Sequence, residues 1–85
     1  MMSQYRTPEH RKTFHIAFDE GLEQWKVIYE GTDVPYSVHM TKQEALEAGR
    51  ELAQSQQPSQ LVIHKMDGSI QTEHTYEEDP YPPAG

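Results

Sequence analysis

The sequence predicts an α+β domain: an antiparallel β-sheet of four to five strands with one α-helix packed on one face, in ββ(β)αββ order. Three observations carry this. Only Thr41 to Ser55, TKQEALEAGRELAQS, has a helical period. The flanking segments alternate apolar and polar residues with the period of two that marks a half-buried strand. Asp67-Gly68 sits between two such segments as a hairpin signal.

The chain divides into three parts. Residues 1–12 hold Arg6, His10, Arg11 and Lys12 without apolar periodicity and read as a flexible basic arm. Residues 13–76 read as the domain. Residues 77–85, EEDPYPPAG, form an acidic, proline-rich tail expected to be extended.

Within the domain, Thr13 to Asp19 places Phe14, Ile16 and Phe18 on one face and His15 and Ala17 on the other. A loop through Gly21 leads to a second strand, Glu23 to Glu30, with Trp25, Val27 and Tyr29 facing the same core. Gly31 to Asp33 turns the chain into a short third strand, Val34 to Met40. Pro35 there has no N–H to give to a ladder, so the strand should be short or lie at an edge.

Thr41 followed by Glu44 forms a capping box for the helix. Ala45, Leu46, Gly49, Leu52 and Ala53 fall within an arc of roughly 120°. This narrow stripe of mostly small residues predicts close approach to the sheet, with Trp25 as the bulky partner opposite Gly49. Pro58 ends the helix. A fourth strand, Gln60 to Met66, and a fifth, Ile70 to Tyr76, are joined through Asp67-Gly68, read as a type I′ turn.

Composition sets limits on function. Hydrophobic residues make up 34% of the 85, so the core is thin, and no cysteine provides a disulfide or a thiolate ligand. At this size one core supplies about 3–5 kcal/mol, which makes self-association a natural supplement. No apolar run approaches the roughly 18 residues of a membrane span, and a cytoplasmic location is expected. The net charge of −7 opposes non-specific binding to nucleic acid or anionic lipid. A nucleic-acid reading requires Arg11, Lys12, Lys26 and Lys65 to converge.

Five histidines, His10, His15, His39, His64 and His74, raise a metal hypothesis, yet none has the spacing of a zinc motif. His15 and His64 are the pair that neighbouring strands could bring together, as two ligands or a pH-sensitive couple. Glu77, Glu78 and Asp79 lack the glycine and spacing of a calcium loop. Tyr81-Pro82-Pro83 has the composition of a polyproline ligand. No nucleophile, base and orienter occur together, and there is no glycine-rich phosphate loop. The expectation is a protein without enzymatic activity or cofactor.

With the helix on one face, the alternation leaves the other open, showing His15, Ala17, Lys26, Ile28, Val62, His64, Met66, Gln71 and Glu73. Ile28, Val62 and Met66 would be wet there in a monomer, making this face the candidate surface for a protein partner or a second copy. Its proposed contact residues are His15, Lys26, Ile28, Val62, His64 and Met66.

The run FHIAF, QWKVIYEG, TKQEALEAGRELAQ and LVIHKMDGSIQTEHTYEEDPYPPAG, over residues 13–85, resembles the bacterial family called domain of unknown function 2188. The likeness rests on Trp25, Thr41 to Ala53, Val62 to Ile70 and Tyr76 to Gly85. The chain departs from the family at Leu22-Glu23-Gln24, where a tight Asp-Gly turn is usual, and at Glu77-Glu78, where a small Gly-Asn step is usual. The first departure implies a longer first hairpin. The resemblance implies the fold and a tail that docks on the domain; it implies no activity and no site residues.

Overall fold

The computed structural model describes residues 11–77. The basic arm through His10 and the acidic, proline-rich tail from Glu78 onward, with its expected docking on the domain, lie outside the described residues. Strands β1 (Lys12–Asp19), β2 (Gln24–Tyr29) and β3 (Ser37–His39) precede helix α1 (Lys42–Ser55), followed by β4 (Ser59–His64) and β5 (Ile70–Tyr76). They form one five-stranded sheet in the order β3-β2-β1-β4-β5, with the helix across one face.

The sheet is mixed rather than wholly antiparallel. β1 and β4 run parallel, Phe14 opposite Leu61 and Ile16 opposite Ile63, whereas the other three pairs are antiparallel. The direction follows from the helix. Three antiparallel strands leave the chain at the far end of β3, α1 carries it back across the sheet, and β4 therefore starts out in the direction of β1. A parallel neighbour requires such a crossover, and the single helix provides it.

Helix α1 starts where its sequence says. Thr41 is extended, and its Oγ1 accepts the Glu44 N–H at 3.1 Å, satisfying one of the orphan donors of the first turn. Ala45, Gly49, Leu52 and Ala53 are buried against the sheet and Leu46 packs at the margin. The close approach at Gly49 serves Ile16 and Leu61, not Trp25 as expected. A Cβ there would lie 2.9 Å from Ile16 Cδ1 and 3.2 Å from Leu61 Cδ1. The reason is strand order: β1 and β4 occupy the centre of the sheet, beneath the middle of the helix. Trp25 is buried nearer the helix start, with the Phe18 ring at 5.1 Å and Lys42 Nζ 5.0 Å from its own ring centroid. At the other end, the buried Ser59 hydroxyl donates to the Ala53 carbonyl, tying the last turn of α1 to β4.

The turns differ from expectation in informative ways. The β1–β2 loop is Glu20 to Glu23, and its left-handed residue is Glu23, φ 56°, rather than Gly21. Asp19 stabilises this loop twice: its carbonyl accepts the Glu23 N–H at 2.7 Å and its carboxylate the Leu22 N–H at 3.0 Å. The β4–β5 turn is not type I′, which needs positive φ at two successive residues. Only Gly68 has it, at φ 96°. The Gly68 N–H reaches the Lys65 carbonyl and the Lys65 N–H the Ser69 carbonyl, the pattern of a three-residue loop ending in a left-handed glycine. Asp67 stays in ordinary backbone because its carboxylate accepts from both the N–H and the hydroxyl of Ser69, at 2.9 and 2.7 Å. β4 consequently ends at His64, and Met66 belongs to the turn.

Candidate interaction surface

The face away from the helix is assembled from alternate residues of all five strands. Pairing sets His15 between Ile28 of β2 and Val62 of β4, Lys26 between Ala17 and Val38, and Val62 beside Glu73. Of the six expected contact residues, His15, Lys26, Ile28, Val62 and His64 share this face. Met66 does not; it is exposed in the turn beyond the strand. Gln71 also leaves the row. A register shift sets His64 opposite Ile70, and the Gln71 side chain accepts a hydrogen bond from Lys42 of the helix.

Two polar systems cover much of the face. Lys26 Nζ lies 3.2 Å from Asp19 Oδ2, with both side chains about three-quarters shielded. The Asp19 carboxyl is held below its ordinary value, chiefly by the Leu22 N–H and then by Lys26. The second system is a chain of three contacts. Glu30 Oε1 meets His15 Nε2 at 2.7 Å, His15 Nδ1 meets His64 Nε2 at 2.9 Å, and His64 Nδ1 meets the Gly68 carbonyl at 3.0 Å. Adjacent parallel strands bring the two imidazoles together, with ring centroids 5.1 Å apart.

This covering changes the expected apolar patch. Val62 is 4% exposed, so it is not wet in the single chain, and Ile28 is half-buried. Of the exposed large apolar side chains, Val34, Tyr36, Val38 and Met40 lie in β3 and its flanks, and Ile70 stands opposite His64 at the start of β5. Val38 shares the open face through its pairing with Lys26, while among the described residues the outer edge of β3 has no strand beside it. An unpaired edge of this kind offers backbone donors and acceptors to another chain. Sequence reading expected this strand to be short or at an edge through Pro35, and it is both, but the apolar surface that comes with it was missed. The signal was present, since Val34, Tyr36, Val38 and Met40 recur at alternate positions beside a strand-breaking proline. Glu30 was missed as the partner of His15, although the same alternation puts it two residues beyond Ile28 in the open-face row.

The alternative sites receive less support from the geometry. Among the described residues no three His, Cys, Asp or Glu side chains converge on one point. The cations do not converge either. Arg11 pairs with Glu77 and Lys26 with Asp19. Lys12 lies opposite Ser59 at the start of β4, whereas Lys65 follows its end, roughly 20 Å away at the ordinary rise per strand residue. On the helix side, Lys12, Phe14, Tyr29, Tyr36 and Gln56 line a hollow of about 190 Å³. That is below the roughly 300 Å³ at which small-molecule sites begin. No helix among the described residues is long and apolar enough to cross a membrane.

The profile of a family described as an uncharacterised protein conserved in bacteria, domain of unknown function 2188, matches residues 14–76. The chain belongs to this family. The match spans β1 to the end of β5, so the family's common part is the helix-backed sheet itself. Neither the curated proteins nor the solved structures yield a match. Membership in the domain of unknown function 2188 family thus fixes the kind of protein without assigning an activity.

Proposed function

We propose that this member of the family is a non-enzymatic protein-binding module. Its contact surface is the open face of the sheet continued over the exposed edge at β3. The observation that supports the reading most is the concentration of exposed Val34, Tyr36, Val38 and Met40 in the short edge strand β3 and the residues flanking it. Grouped apolar side chains at an unpaired edge are characteristic of contact surfaces, whereas scattered ones carry no such meaning. Lys26 and the two histidines supply a polar rim on the neighbouring strands, the arrangement found around the dry centre of an interface. The partner is another protein, and a second copy of this chain is the first to examine because a thin core gains from association.

The experiment is cross-linking and solution mass as a function of concentration, on the natural chain and on a Tyr36→Ser, Val38→Lys variant. Association that the variant removes supports the reading. A mass of one chain at every concentration, with no cross-linked product in bacterial extract that depends on Tyr36 and Val38, contradicts it.

A further inference from the structure

The contacts from Glu30 to Gly68 impose a count of protons. At the two ends stand a carboxylate and a backbone carbonyl, which accept hydrogen bonds and donate none. Between them lie two imidazoles, and each of the three contacts is of hydrogen-bond length. Three such bonds require three ring N–H groups. Two neutral imidazoles carry one each, so a neutral pair leaves one contact as lone pair against lone pair. Two imidazolium rings carry four, and the central 2.9 Å contact would then set N–H against N–H as well as charge against charge. Only the pair holding three protons, with one positive charge between the two rings, satisfies every contact.

We propose that His15 and His64 form a single proton-binding unit of the open face, holding one shared proton whose charge is matched by Glu30. His15 Nε2–H donates to the carboxylate and His64 Nδ1–H to the Gly68 carbonyl. The third proton lies between His15 Nδ1 and His64 Nε2. Two partly buried rings, backed by the buried Val62, hold this contact away from free exchange with water on the sheet side. The unit joins three parts of the sheet: β1 through His15, β4 and its turn through His64 and Gly68, and the end of β2 through Glu30. Loss of the proton must break one of the three links. Gain of a second must break the central one.

Three of the four other charged groups near the unit are engaged elsewhere. From β2, Lys26 is held by Asp19 at 3.2 Å. From β5, Glu73 lies opposite Val62 and accepts from Gln60 at 3.3 Å. In the turn, Asp67 is bound by Ser69, and its carboxyl is held below its ordinary value mainly by the Ser69 hydroxyl. Lys65 follows His64 into the same turn. The helix packs on the opposite face and contributes no charge here. Glu30 is therefore the one carboxylate among the described residues that touches the unit.

The chemistry at this place favours a proton over a metal. The nitrogen lone pairs of the two rings point at one another, and the carboxylate meets the far nitrogen of His15, so the three groups do not surround a common point. The inference stands independently of any partner, since it rests on contacts within one chain.

Nitrogen-detected NMR of the histidine rings across a pH titration of the full chain is the test. In the natural chain, proton uptake is expected in two steps separated by more than about one pH unit, each visible at both rings. Glu30→Gln, at an exposed side chain outside the core, is expected to shift the titration of His64, which Glu30 does not touch. In His15→Gln, His64 is expected to titrate in one step. The proposal is overturned if each ring titrates in a single step of its own and neither Glu30→Gln nor His15→Gln alters His64.

Discussion

The two faces of this sheet are closed by different chemistry. On the helix side, Phe14, Ile16, Trp25, Val27, Leu61 and Ile63 are buried against Ala45, Gly49, Leu52 and Ala53. That face is held by apolar area and close fit, worth roughly 25 cal/mol for each Å² removed from water. Among the described residues no element covers the open face. It shields Val62 with flanking strands and polar side chains that bond to one another, His15 to Glu30 and His64, and Lys26 to Asp19. A small domain with a thin core thus spends its apolar residues on one side and completes the other with hydrogen bonds. Such bonds contribute about 0.5–1.5 kcal/mol each, yet they set geometry and respond to pH.

That contrast is open to direct challenge. Ile16→Ala removes a fully buried side chain beneath Gly49 and is expected to cost about 2–5 kcal/mol, comparable to the whole stability of such a domain. Urea denaturation should therefore find the variant largely unfolded without denaturant. Gly49→Val overfills the same place, where a Cβ already meets Ile16 at 2.9 Å, and should lower stability by about 1–3 kcal/mol despite removing a helical glycine. On the open face, Val62→Ala should cost about 1–2 kcal/mol in the same denaturation assay and Ile28→Ala less than about 1. If Ile28→Ala proves as damaging as Ile16→Ala, the two faces are not different in kind.

The loops sharpen the comparison with smaller effects. Glu23 has a left-handed backbone at φ 56°, so Glu23→Gly should raise the melting temperature, corresponding to about 0.5–1 kcal/mol. Asp19 has its carboxyl held below its ordinary value, so its charged form is favoured in the folded chain. The contribution is present above the unfolded value near about 3.9 and is lost as pH falls through the lower folded value. Asp19→Asn should accordingly flatten the fall in stability below pH of about 4, measured by thermal melts across acid pH.

The helix-covered face was largely legible in the sequence because it depends on periodicity. Thr41, the stripe from Ala45 to Ala53, and the alternating strands each follow from local spacing. Strand order is not local, and from it came the corrections: the parallel β1–β4 pair and the seating of Gly49 over Ile16 and Leu61. The open face was legible as a row of residues but not as an exposure. Val62 is shielded between β5, next in the chain, and β1, three strands earlier, and Gln71 leaves the row through a register shift that no pattern announces. The meeting of His15 with His64 followed from adjacency of their strands. Its length and its extension to Glu30 and Gly68 required coordinates.

The binding surface proposed at β3 and the adjoining open face is tested most directly by solution mass. Light scattering on a sizing column would follow the 9.8 kDa chain over a wide range of concentration. The expected result is a mass that rises above one chain, and returns to one chain in the Tyr36→Ser, Val38→Lys variant while the melting temperature is retained. Association that survives this substitution would contradict the placement of the surface. A single-chain mass throughout, with no cross-link dependent on Tyr36 and Val38, would contradict the proposed role itself.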